Sequence, residues 1–288
     1  MKKILTIPAI LFAAALSANA QNEVLFKMKM LPNHQYSANM KMNMDMEMNY
    51  EGTGAAMDQL KASGMKMPML MQMETGIQSE MKTGAVNAKK EFPFSATIIT
   101  LPSKMTMNGQ ASPEPIPNTP PETLYGKCSV NSVMPVIDSV QGKAMNDSLK
   151  NMMNKMFQNL QSAIDFPEKP MKVGDTFTQD VPFDLPVSGA GMKMSVKAVY
   201  KLLSISAGKA NFDVIFTMDM NLKLGTGGQG SMSMNGGGDG KMEYDIANNY
   251  PTHYLQNMDV NYTMPIPQQT MTMKGKMKMV MDQQTMIK

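Results

Sequence analysis

The sequence predicts a mainly β protein: long, twisted antiparallel strands forming half-barrel or sandwich-like units, with one packed helix. Three observations carry that expectation. Methionine supplies 38 of 288 residues and falls mostly in M-x-M runs. Over residues 36–50 the even positions are Tyr36, Ala38, Met40, Met42, Met44, Met46, Met48 and Tyr50, while Ser37, Asn39, Lys41, Asn43, Asp45, Glu47 and Asn49 fill the odd ones. That is a period of two, which puts the thioethers on one face of a strand and the polar groups on the other. A helix would spread the same methionines around its circumference. Helical periodicity is confined to one segment, residues 146–164, where Leu149, Met152, Met153, Met156, Phe157, Leu160 and Ile164 recur at spacings of three and four behind a cap at Asn146 or Ser148.

The chain opens with Lys2 and Lys3, an apolar run over 4–16, and Ser17-Ala18-Asn19-Ala20. This is the pattern of a secretory leader, residues 1–20, cut after Ala20, and it places the mature protein in the periplasm or outside the cell. No cysteine stands at that point to receive a lipid, and no later stretch reaches the length of apolar sequence that a spanning helix needs. Removing Lys2 and Lys3 leaves 25 basic against 24 acidic side chains, close to neutrality. All the basic residues are lysines, so bidentate guanidinium forks are lacking, and nucleic acid is not expected as a partner. Cys128 is alone and forms no internal disulfide; burial is its ordinary fate.

A first β unit is expected over 21–122, with strands at 24–30, 36–50, 65–75 and 94–101. Met65, Met67, Met69, Met71 and Met73 share a face, although Pro68 moves that strand toward an edge or bulge. Five prolines between 113 and 121 make 109–122 a surface crossing or linker. A connecting segment over 123–170 carries the helix, which Pro167 and Pro170 end. The second β unit, 171–288, has strands at 192–203, 212–224, 242–246, 258–266 and 270–281. Glycines dominate 225–240, which suggests a flexible hairpin or a sharply bent sheet corner. Both units open with an extended segment and a polar turn, a grammar consistent with duplication.

The stretch Phe166-Pro167-Glu168-Lys169-Pro170-Met171-Lys172-Val173-Gly174-Asp175-Thr176-Phe177, followed by alternating strands and a glycine-rich strand region, resembles an uncharacterised family of exported Bacteroidota proteins known only as a domain of unknown function. The resemblance covers most of the mature chain and implies export and β architecture. It brings no catalytic residues.

Few residues are spaced for catalysis or metal binding. His34 sits beside the Pro32-Asn33 turn and His253 within 249–254, with no H-x-H, H-E-x-x-H or cysteine pair, so no metal ligand is assigned to them. No serine lies in a G-x-S-x-G elbow, and 225–240 lacks the ending of a phosphate loop. Asp45 and Glu47 share a strand face as solvated acids commonly do. The chain is therefore expected to be non-enzymatic, without a cofactor.

The methionines remain. As apolar, unbranched side chains they suit an adaptable surface for an apolar partner, such as a lipid, and the residues expected to line it are Met40, Met42, Met44, Met46, Met218, Met220, Met277 and Met279. A fully packed methionine core in an envelope structural protein is the first alternative. Binding of Cu(I) or Ag(I) by thioethers, densest over 40–48 and 271–281, is the second. A metal site needs only three or four sulfurs, whereas five or six line each of several strands, which favours the apolar reading. A transmembrane barrel of such strands is disfavoured by the absence of tryptophan and by only 18 aromatic residues.

Overall fold

The structure, a computed structural model, describes residues 23–64, 66–111, 120–130, 132, 134–145, 166–187, 190–224, 230–266 and 271–288. The expected leader, the helix expected over 146–164 and most of the proline-rich stretch lie outside the described residues. Those described form strands β1 (Glu23–Val24), β2 (Gln35–Gly52), β3 (Met69–Thr83), β4 (Glu91–Thr100), β5 (Lys104–Met107), β6 (Gln110–Ala111), β7 (Glu122–Ser129), β8 (Val136–Val140) and β9 (Lys143–Ala144). They continue as β10 (Met171–Lys172), β11 (Thr176–Val187), β12 (Ala190–Ser206), β13 (Lys209–Leu224), β14 (Gly230–Asp245), β15 (Tyr250–Ile266) and β16 (Met271–Ile287). A short helix, α1 (Ala55–Ala62), follows β2, with Asp58 in its first turn and Lys61 in its last, matching the helix dipole.

Fourteen of the strands make one antiparallel sheet, and β1 pairs with β10. The sheet is open. Its order runs β11-β12-β13-β14-β15-β16-β2-β3-β4-β7-β8-β9, with β5 and β6 continuing from one end of β3. The chain is thus two meanders, β2 to β9 and β11 to β16, fused side by side where β16 pairs with β2 from Met271↔Gly52 to Ile287↔Tyr36. Strands from the range 21–122 and strands from the range 171–288 belong to one continuous sheet. Residues 122–144, expected to lie almost wholly in the connecting segment, extend the first half as β7, β8 and β9. These strands are short, and their alternation is broken by a register shift at Tyr125/Gly126, where a side chain on Gly126 would strike the Val136 carbonyl.

Other boundaries move for identifiable reasons. The strand expected from residue 65 starts at Met69, after Pro68, and runs on through Gly76 to Thr83. Residues 25–30 are irregular where a strand was expected. The glycines at 236–240, expected in a flexible hairpin or a bent sheet corner, lie mid-strand in β14: a side chain on Gly236 or Gly238 would meet backbone oxygens of β15, and one on Gly237 would meet the Phe216 carbonyl of β13. Three glycines in succession let both neighbouring strands press onto one strand.

Two aromatic clusters close one end of the sheet. Phe26, Phe177, Leu202, Phe212, Phe216 and Tyr244 form the first, and Met30, Tyr36, Phe92, Phe94, Cys128 and Ile137 the second. Residues 23–31 join them. Phe26 packs edge-on to Phe212 and Tyr244, with ring centroids 5.1 and 5.2 Å apart. Lys27 N–H donates to the Tyr244 hydroxyl at 3.3 Å, and that hydroxyl donates back to the Lys27 carbonyl. Farther along, the Leu31 N–H donates to the Tyr36 hydroxyl at 2.7 Å.

Candidate functional site

Within a single strand, residue type changes along the apolar face. In β13, Ala210, Phe212, Val214 and Phe216 are buried, and the following positions on the same face, Met218 and Met220, are half-buried. The same switch occurs in β2, where buried Tyr36 gives way to half-buried Met40, Met42, Met44, Met46 and Met48. In these two strands methionine stands where the aromatic cluster stops. Branched residues have the higher strand propensity, so a thioether at these positions is not explained by strand formation.

The register converts these stripes into rows across the sheet, because directly opposed residues share a face. Met44 is opposite Met279 on one side and Met73 on the other, with Met258 beyond Met279 and Met105 beyond Met73. One level along, Met46 lies between Met277 and Met71, and the row continues through Val260 and Gly236 to Met218. At the next level Met48 leads through Gly275 and Tyr262 to Met234 and Met220. Met42 is opposite Met281, and Met40 opposite Gln283 and Ile77.

All eight residues singled out from the sequence thus lie on one face, and the register brings Met44 against Met279 and Met46 against Met277. Part of this face is packed: Val260, Tyr262 and Met277 are buried, with Met44, Met46, Met218, Met234, Met258 and Met273 against them. Met48, Met71, Met73, Met105, Met234 and Met258 belong to the same surface and were not singled out. Their M-x-M context marked most of them as strand residues, but nothing in one sequence gives register.

The opposite face is polar. Asp45 and Asp259 flank Lys278, and Glu47 faces Lys276. Exposed contacts such as the Lys274–Glu51 ion pair at 2.6 Å and the His253–Asp282 hydrogen bond at 2.9 Å belong to this decoration and each contribute little. Glu243 is held below the usual carboxylate range, first by its hydrogen bond from Lys209. Grooves of about 390, 410 and 240 Å³ are walled mainly by polar-face residues such as Asp45, Lys276 and Asn261. Met46 and Met40 touch two of these grooves, and Met42, Met44, Met218, Met220, Met277 and Met279 none of the three. Among the described residues no group of three or more His, Cys, Asp and Glu side chains could hold a metal ion. His34 is engaged through Nδ1 with the Pro32 carbonyl at 2.7 Å.

No family model matches the chain, and no curated protein matches it in sequence. Among solved structures, Pseudomonas aeruginosa OccK5 (OpdH) aligns over 87% of this chain and 98% of its own at 6% identity, with a TM-score of 0.27. P. aeruginosa OccK7 (OpdD) aligns over 88% and 99% at 6% identity and a TM-score of 0.24. Likenesses at that level carry no argument about fold or function. Among the described residues no helix is long and apolar enough to cross a membrane, a fact that does not bear on crossing by strands.

Proposed function

We propose that this is an exported, non-enzymatic protein that holds an apolar ligand of the lipid class against its methionine face. The observation that carries this reading is the switch from buried aromatic to half-buried methionine along single strands such as β13. Unbranched thioether chains adapt to irregular partners at little cost, so a face made of them favours loosely specified apolar contact. Covering apolar surface is worth about 2.5 kcal/mol per 100 Å². An acyl chain laid along the rows around Met44 and Met46 gains several such increments without an enclosed pocket. The leader-like residues 1–20 and the resemblance to exported proteins support placement in the periplasm or outside the cell.

Organic extracts of protein purified without detergent, analysed by mass spectrometry, test the reading. Co-purifying lipid is expected, and it is expected to fall several-fold when Met218 and Met220 are changed to serine. Consistent absence of lipid would leave the structural alternative, for which the packed group Val260, Tyr262 and Met277 is the supporting observation.

A further inference from the structure

We infer that the row Met73, Met44 and Met279 is a binding site for a soft monovalent cation, Cu(I) or Ag(I). Sequence spacing offers only same-strand sulfur pairs, about 6.6 Å apart along the backbone. The register supplies what spacing does not. Met73, Met44 and Met279 are directly opposed on three consecutive strands, β3, β2 and β16. Neighbouring strands lie about 4.8 Å apart, so the three thioether arms stand side by side, and the outer two can bend toward an ion above Met44. Met105 and Met258 extend the row at either end.

Chemistry and access both select this row. Its neighbours on the same face are Met42, Met46, Met71, Met277, Met281 and Thr75, while Asn43, Asp45 and Lys278 alternate to the other side. The donor set is thus neutral sulfur, which suits a soft ion and leaves Zn²⁺ or Ca²⁺ without the nitrogen or oxygen ligands they need. All three central methionines, and Met105 and Met258, keep partial exposure, although Met44 and Met258 also pack against the buried group Val260, Tyr262 and Met277. In the adjacent row Met277 is buried against Val260 and Tyr262, so its sulfur is committed to packing.

The measurement is anaerobic Cu(I) titration of the purified protein against a chromophoric chelator, repeated with Ag(I), Zn²⁺ and Ca²⁺. Wild type and the surface control M67L/M286L are expected to take up the soft ions, and M44L/M73L/M279L to lose one equivalent. Leucine keeps the face apolar, so lipid retention by the triple variant is scored separately, and the two readings stand or fall independently. Equal uptake by wild type and the triple variant, or none by wild type, overturns the site. Should the triple variant not fold, Ag(I) is added to wild type carrying ¹³C-methyl methionine. Shifts centred on the Met44, Met73 and Met279 methyls support the site, and shifts spread evenly over the methionines overturn it.

Discussion

Tyr262 lies across Gly275, its opposite number on the neighbouring strand, and its hydroxyl donates to the Glu47 carbonyl one strand farther on, at 3.3 Å. A side chain at position 275 would collide with both the Tyr262 phenol and the Glu47 carbonyl. The ring therefore occupies the space that glycine leaves, and it bridges β15 to β2 over β16, beside the seam where the two meanders meet. Burial raises its phenol pKa, with Tyr50 and Glu47 adding to the rise.

Gly275→Ala is expected to cost about 1–3 kcal/mol through overpacking, more than the roughly 1 kcal/mol of the single hydrogen bond removed in Tyr262→Phe. Urea unfolding midpoints check this. Equal midpoints for Gly275→Ala and wild type would mean that the ring does not fill the space above the glycine.

Tyr244 fastens the segment that joins the two aromatic clusters, since its hydroxyl both receives from and donates to Lys27. Tyr244→Phe leaves those backbone groups without their partner and is expected to cost about 1 kcal/mol. The readout is hydrogen exchange: amides from Phe26 to Lys29 accelerate, while those in β2 do not. Phe26→Ala, which removes a buried ring, is expected to cost about 3–5 kcal/mol.

Alkaline titration offers a third test. Burial pushes Tyr250 up to about 12 and raises Tyr36, Tyr244 and Tyr254, against about 10 in the unfolded chain. The folded state thus holds these protons more tightly than the unfolded one. Their stabilising contribution is complete below pH 10 and is lost as pH rises from about 10 toward 12. Stability followed by urea unfolding is expected to decline over that window, and less steeply in Tyr250→Phe. A flat profile to pH 12 contradicts the burial of these phenols.

Cys128 is buried, with its Sγ 3.7 Å from the Met30 sulfur, and burial raises its thiol to about 12. At neutral pH it is a protonated, enclosed thiol. Aromatic disulfide reagents are expected to leave the native protein unmodified and to label one thiol per chain in denaturant. Rapid labelling of the native protein would place Cys128 at the surface.

Strand identity was legible in the sequence wherever alternation was sustained. The period of two over 36–50 corresponds to β2 (Gln35–Gly52), and that over 212–224 to β13 (Lys209–Leu224), each with the apolar face as read. Alternation failed at places with a local physical cause. In β14 the glycines have no side chains to alternate, yet they are strand because the flanking strands press onto them. In β15 the residues before Asn257 are half-buried on both faces beside a register shift at Glu243/Tyr244, so Tyr250–Gln256 carries no period. Within each strand the methionines were readable as one face from parity alone. Their pairing was not, because Met44 meets Met279 only through a register set by contacts far apart in the chain.

The β16–β2 pairing gives the molecule a seam between two halves that are otherwise built from neighbouring hairpins. Local hairpins close quickly, whereas a long-range pairing must wait for loop closure. A chain with both meanders formed and the seam still open presents β2 and β16 to any other copy in the same condition. Two such copies can exchange halves, β2 of each accepting β16 of the other, and retain every row of the sheet. Refolding at high concentration is expected to give such an exchanged dimer and dilution to suppress it, which size-exclusion chromatography of the two products checks.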